Sequence, residues 1–299
     1  MALPSSLEKL KGTVGVWTVT HESLAPQRSG EIAQELEELG YSAMWIPEAY
    51  SREAFTSSHF LLQATSTIVV ATGIANIWAR DAVTAASAAK SLNAAFSDRF
   101  VLGLGVSHQP IVQKLRKHDY VSPLTQMKSF LEGLSEAPMF AIEGNQEFAR
   151  VIAALGPKML ELGKTLAHGV HPYLVTPEHT AVARAAVGTQ FVGVEQAVVL
   201  GQSREVFLQR AHAYLEIYTG LPNYRNNWLR LGFSEEDFVK GGSERLCDAM
   251  VVHGDEQKIL DNINAHRSAG ADHVCIQVLG EDLSTPPLED WRHLAPALR

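Results

Sequence analysis

Apolar residues repeat along this chain with two alternating periods. Compact runs rich in β-branched and aromatic residues read as strands at residues 14–19, 42–47, 67–77, 100–106, 149–155, 169–174, 190–200 and 273–279. Between them, apolar residues recur three or four positions apart, the spacing of a helix with one buried face. Ile32, Leu36 and Leu39 form the first such stripe, and Gly40 follows where a left-handed cap stops a helix. Val83, Ala86, Ala89 and Leu92 form the next, then Leu124, Met127, Leu131 and Leu134. Phe207, Ala211, Tyr214 and Tyr218 follow the seventh run, and Ile259, Leu260 and Ile263 lead through Gly270 into the eighth. Eight strands alternating with helices predict an α/β fold, a (β/α)8 TIM barrel, as one domain over residues 1–299.

Two stretches break the alternation: residues 108–123 after the fourth strand and 221–255 after the seventh. Loops of that length carry function or short structure of their own. The second contains Tyr224, Trp228, Leu231, Phe233 and Phe238, enough apolar anchors to pack down. Both are therefore read as insertions in one barrel.

Composition narrows the partners. With 46% hydrophobic residues among 299, the chain can bury one large core. A net charge of -8 repels phosphate backbones and anionic lipid, so neither nucleic acid nor membrane is an expected partner. No run approaches the roughly 18 apolar residues of a spanning helix, and the opening segment lacks the apolar stretch of a secretory signal. Cys247 and Cys275 lie apart without metal-ligand spacing, which argues against a disulfide framework or zinc cluster. A cytoplasmic protein is expected, and a barrel of this size is expected to pair as a homodimer.

In a TIM barrel the active site gathers at the carboxyl ends of the strands. That filter selects Trp17, Thr18, Glu48, residues 73–76 with Gly73, Ile74 and Asn76, residues 103–108 with Gly105, Ser107 and His108, then Gly156, Pro157, Lys158 and His171. Each has a plain alternative. Gly73 could serve only a β-bulge, Glu48 could be a solvated loop carboxylate, and His108 could be a surface residue. Gly156-Pro157-Lys158 reads either as an ordinary helix start or as an anion site built from free amides, the dipole end and a lysine. His168 and His171 have no neighbouring carboxylate in sequence and are left structural. P-loop, G-x-S-x-G and G-x-G-x-x-G motifs are missing, which removes the usual signatures of kinases, hydrolases and Rossmann dehydrogenases.

ATGIANIW at 71–78, an alanine-rich helix, then SDRFVLGLGVSH at 97–108 resemble the luciferase-like superfamily, where a TG-containing third strand and a GRF-x-LGLG fourth strand recur in this order. Asp98 stands where that motif has glycine. LGPKML at 155–160, YRNNWLRLGF at 224–233 and AGADHVCIQV at 269–278 resemble its branch of coenzyme F420-dependent oxidoreductases.

The resemblance implies a deazaflavin coenzyme, F420, with FMN and monooxygenase chemistry as the alternative and a non-catalytic coenzyme-binding barrel as a third reading. It implies a cis peptide at Gly73–Ile74 under the ring, phosphate contacts at Gly156, Pro157 and Lys158, and cofactor contacts from Asn76, Gly105 and Ser107. His108 falls where relatives hold an acid near the ring, and an imidazole there suits proton exchange near neutrality. Glu48 falls where relatives place an acidic residue, sometimes followed by a histidine that serves as base for an alcohol, and is with His108 the candidate acid or base, or an acceptor for the coenzyme. Ala49 stands in that second place, so alcohol oxidation through it is not expected. The implied reaction is hydride transfer between the deazaflavin C5 and a carbonyl or activated double bond of a small organic substrate.

Overall fold

A computed structural model describes residues 2–48, 51–138, 147–282 and 284–298. It contains strands β1 (Thr13–Trp17), β2 (Ala43–Ile46), β3 (Val69–Thr72), β4 (Ala75–Asn76), β5 (Phe100–Gly105), β6 (Ala149–Ile152), β7 (Gly169–Val170), β8 (Phe191–Leu200), β9 (Val251–Gly254) and β10 (His273–Val278). All pair in parallel. β1 pairs with both β2 and β10, and β10 pairs with β8, so the sheet closes on itself. β3 and β4 together form one stave and β9 lies outside the ring that β8 and β10 close, which leaves an eight-stave TIM barrel with helices between the strands.

Two features depart from the sequence pattern. The run read as one strand at 67–77 is broken between β3 and β4, and the Gly73–Ile74 peptide at the break is cis, as the resemblance implies. β9 was read as part of an insertion. It pairs with the upper part of β8, Ala197 to Leu200, on the edge that β7 leaves after pairing with Phe191 and Val192.

The helices bury one face each. In Pro26–Glu38, Ile32 and Leu36 are fully covered, and Gly40 beyond it has φ +88°, the left-handed value that glycine adopts freely. In Ala82–Ala95 the buried face runs through Ala85, Ala86, Ala89 and Leu92, whereas Val83, expected on it, is 47% exposed. Ala54–Ala64 was not legible as a helix because its inner face carries Ser57 and Ser58 beside Leu61 and Leu62. Arg99 explains why arginine follows the turn after Ala82–Ala95: its guanidinium donates to the Leu62, Thr65 and Ile68 carbonyls and ties that preceding helix to β3. Ser97 and Asp98 just before it have φ +55° and +57°, so the turn at Asp98 is left-handed, where glycine is the low-cost residue.

The barrel interior is a separate apolar cluster of Trp17, Trp45, Val69, Ala71, Val101, Val151 and Phe191, with Leu7 and Leu10 packed into it. Trp45 Nε1 donates to His273 Nε2 at 3.1 Å, and the Trp45 ring stacks on His171 at 4.3 Å. The segment after β8 folds into the helices Arg204–Leu215, Pro222–Arg230 and Glu244–Met250, joined by 3-10 turns at Tyr218–Gly220 and Glu235–Phe238. Tyr224, Trp228 and Phe238 anchor it in a third cluster with Phe207 and Met250. Each such burial contributes about 1.5–3 kcal/mol, enough to hold the insertion against the barrel rim.

Candidate active site

A cavity of about 520 Å³ opens at the carboxyl ends of the strands. Its wall includes Glu48 after β2, Gly73 and Ile74 between β3 and β4, and Ser107 and His108 after β5. Trp17, Thr18 and His171 line it too, so eight of the residues at predicted strand ends come to one place.

The floor is built around Gly73. Its carbonyl accepts from Trp17 Nε1 at 2.8 Å. A methyl group on Gly73 would lie 2.7 Å from Trp17 Nε1 and 3.2 Å from His171 Nε2, so only glycine fits between the two rings. His171 is 1% exposed; its Nδ1 meets the Gly193 carbonyl at 2.8 Å, which makes Nδ1 the donor and leaves Nε2 a bare acceptor at the floor. Burial lowers its pKa to about 4, so the ring is neutral near pH 7.

Glu48 is not solvated. Its Oε2 accepts from the Asn76 amide at 2.8 Å and Arg80 Nη1 at 2.9 Å, while Oε1 takes Arg80 Nη2 and the Ala54 amide. The side chains of Arg80 and Glu48 are only 8% and 4% exposed. Asn76 does not face the cavity: its Oδ1 accepts from the Trp78 amide at 2.9 Å, and together with Glu48 it fixes the loop after β4. Gly105 lies under Ile74, where a Cβ would come within 2.4 Å of Ile74 Cδ1. Ser107 has φ +54° and turns the chain so that His108 follows it into the cavity wall. The His108 ring lies 6.1 Å from that of Tyr224, and burial lowers its pKa below the ordinary histidine value. Ala49 lies outside the described residues.

Gly156, Pro157 and Lys158 stand apart from this wall. Gly156 caps the helix Pro157–Leu166, Lys158 is exposed, and an Arg230 Nη2 lies 3.7 Å from where a Cβ on Gly156 would be. Sequence reading gave no role to Arg230.

The opposite wall also went unread. The Tyr214 hydroxyl donates to the Tyr173 hydroxyl at 2.8 Å, and that of Tyr173 donates to Gln277 Oε1 at 2.9 Å. Behind them Glu195, 1% exposed, lies 3.4 Å from the Tyr214 hydroxyl and accepts from the Leu174 amide at 3.2 Å. Desolvation pushes the Glu195 carboxyl up to about 8. The available signal was an acid and an amide inside otherwise apolar strands, FVGVEQAVVL and HVCIQV.

Comparison with known proteins decides the lineage: the model of the luciferase-like monooxygenase domain matches residues 10–273. The chain belongs to the luciferase-like monooxygenase family. It is by that membership an enzyme of the oxidoreductase kind. A 5,10-methylenetetrahydromethanopterin reductase of Methanolobus tindarius is 26% identical over 182 residues, and the match covers 55% of each chain, so it spans about half the length of that relative. Two solved structures share the fold. An F420-dependent secondary alcohol dehydrogenase in complex with an F420–acetone adduct superposes with a TM-score of 0.74 at 13% identity, covering 97% of this chain and 100% of that one. The oxygenating constituent of 3,6-diketocamphane monooxygenase from Pseudomonas putida, in complex with FMN, gives 0.68 at 12% identity, covering 96% of each. Within this luciferase-like barrel no group of three or more potential metal-binding side chains occurs among the described residues, and no helix there is long and apolar enough to cross a membrane.

Proposed function

We propose that the enzyme uses coenzyme F420 to move a hydride between C5 of the deazaflavin and a carbonyl or activated double bond of a small organic substrate. The observation that carries this reading is the Gly73 floor. Two aromatic rings, Trp17 and His171, the latter with a bare Nε2 acceptor, flank the Gly73 backbone in the wall of a cavity of about 520 Å³. Cavities that take cofactors and drug-sized ligands span about 300–1,000 Å³ and are mostly apolar with a few placed polar groups. The residues present therefore fit a flat, largely apolar ring with a polar edge.

Bound coenzyme supplies the hydride, and the protein supplies orientation and proton handling. Gly73 and Ile74 carry the ring, with Ser107 beside it. Gly156, Pro157 and Lys158 receive the phosphate at the helix start, with Arg230 adding charge there. His108, kept neutral by its burial, would accept the proton that a ring bound at this wall gives up on oxidation. Glu48, fully occupied by Arg80 and two amides, holds the β4 loop in place instead of exchanging a proton. The same reading takes the enzyme as a cytoplasmic homodimer of one-domain subunits, a state that light scattering checks.

FMN is the second reading, favoured by the FMN-bound monooxygenase that shares the fold. Titration with reduced F420 and with FMN, followed by turnover with each, separates the two. Tighter binding of F420 with oxygen-insensitive reoxidation by a carbonyl acceptor supports the proposal. Tighter FMN binding with oxygen consumption overturns it, and coenzyme that binds without ever being reoxidised leaves a binding protein.

A further inference from the structure

Resting on that reading, we propose that Glu195, Tyr214 and Tyr173 form a relay that delivers a proton to the oxygen of an uncharged carbonyl substrate, on the wall facing the coenzyme floor. The relay is distinct from His108 and from Glu48, which reach the cavity from β5 and β2.

The geometry is continuous from the protein interior to the cavity. Glu195 lies at the back, within β8, and does not line the cavity. Its carboxyl is 3.4 Å from the Tyr214 hydroxyl, which is 2.8 Å from the Tyr173 hydroxyl. Tyr173 and Tyr214 both line the cavity. The Tyr173 ring lies 5.3 Å from that of Trp17, the residue that holds the Gly73 carbonyl, so Tyr173 joins the tyrosine wall to the floor. Gln277 Oε1 accepts from Tyr173 at 2.9 Å and lies 3.2 Å from the Tyr214 hydroxyl, and the Tyr218 hydroxyl stands 3.2 Å from that of Tyr173, so the two hydroxyls are held in place.

Charge at this wall selects the substrate. The groups facing Glu195 are Tyr214 on Arg204–Leu215, Tyr224 on Pro222–Arg230, Tyr173 after β7 and Cys275 on β10. All are neutral at pH 7, since burial raises the phenols and the thiol well above their ordinary values. Among the described residues no cation pairs with Glu195. With the carboxyl pushed up to about 8, its proton is present at neutral pH. A wall of neutral donors suits a ketone, aldehyde or enone oxygen, and the cation that lines the same cavity, Arg210, is held on the Leu279 carbonyl at 3.0 Å.

In the forward step the carbonyl carbon gains hydride and its C=O π pair moves to oxygen. That oxygen takes the Tyr173 proton, Tyr173 takes that of Tyr214, and Tyr214 takes that of Glu195, leaving a carboxylate. A bound coenzyme would give up one proton to His108, which releases it to solvent, and solvent returns one proton to Glu195. The sum is reduced coenzyme plus carbonyl giving oxidised coenzyme plus alcohol.

The test has one arm without coenzyme. Infrared difference spectra of the coenzyme-free protein, wild type minus Glu195→Gln, should show a protonated carboxyl stretch at pH 7 that fades as pH rises past 8. An ionised Glu195 at pH 7 overturns the relay. In the second arm, with reduced F420 and cyclohexenone, Tyr173→Phe should lower kcat about a hundredfold while coenzyme Kd stays within a few fold. Glu195→Gln should remove the fall in rate above pH 8. Turnover that keeps its rate in Tyr173→Phe and its basic limb in Glu195→Gln overturns the relay. A wild type that leaves reduced F420 unoxidised while the infrared arm succeeds overturns the coenzyme reading instead.

Discussion

Arg80 grips the Glu48 carboxylate with both terminal nitrogens, one of them at 2.9 Å, and so uses up a group that the sequence offers as an acid or base. Removing one partner of such a buried pair leaves a lone charge, at a cost of about 3–5 kcal/mol. Arg80→Ala should therefore lower the unfolding free energy by that order and loosen the loop after β4, which the Asn76 amide joins to the same carboxylate. Glu48→Gln should also destabilise, yet leave the shape of the pH–rate profile unchanged. Denaturant unfolding together with a pH profile distinguishes this positioning role from proton transfer: a lost limb in Glu48→Gln makes the carboxylate the acid–base group.

His108 gives the opposite expectation. If it takes the N1 proton, its removal acts mainly in the transition state, so His108→Ala should lower kcat by about 10²–10⁴-fold with coenzyme affinity within a few fold. His108→Gln retains a hydrogen bond but cannot titrate, and should bind normally while its acidic limb flattens. Because burial lowers the His108 pKa, the limb in the wild type should lie below pH 6.5. Stopped-flow measurement of coenzyme oxidation checks both. An unaltered rate in His108→Ala reduces the residue to a part of the wall.

The phosphate end is tested by charge removal. A charge-assisted hydrogen bond is worth about 1.5–3 kcal/mol, or roughly ten- to a hundredfold in Kd. Lys158 and Arg230 are exposed, so each alone to Ala should weaken F420 binding by about tenfold, and the double variant by more. Fluorescence titration at low and high salt measures this. Unchanged affinity in the double variant moves the phosphate elsewhere.

The barrel was legible because its strands are covered on both sides and so read as unbroken apolar runs, and because helices such as Pro26–Glu38 keep a clean stripe. β9 was not, since its four residues take their partners from the end of a strand more than fifty positions earlier. The helix Ala54–Ala64 was hidden by the serines on its inner face. At the site, Glu48, Gly73, Ile74, Ser107 and His108 were found by their position at strand ends, a local property. Tyr173, Tyr214 and Gln277 meet only when β7, the β8 insertion and β10 come together, and no local spacing encodes that. Glu195 was visible as an acid within an apolar strand, but its partners were not. Arg80 escaped for the same reason, being joined to Glu48 across 32 residues.

Stability should fall on mild acidification, and the sign follows from the buried imidazoles. His21, His168, His171 and His266 are held down to about 4 and His273 to about 3, desolvation being the main cause in each. A histidine in the unfolded chain takes up its proton near 6.5. Between about 6.5 and 4 the unfolded state thus binds more protons than the folded one, and unfolding free energy drops as pH falls through that window. Glu195 acts the other way. Its carboxyl, at about 8 in the fold against 4.5 for an ordinary glutamate, keeps a proton that the unfolded chain has released, so it lowers stability as pH rises from about 4.5 to 8. Five imidazoles outweigh one carboxyl in the overlapping range, so thermal unfolding followed from pH 8 to pH 4.5 should show Tm highest between about pH 6.5 and 7.5 and dropping steeply below it. Glu195→Gln should flatten the alkaline side and leave the acidic drop intact. A wild-type Tm that stays level from pH 7 to pH 4.5 would mean that these imidazoles charge inside the fold.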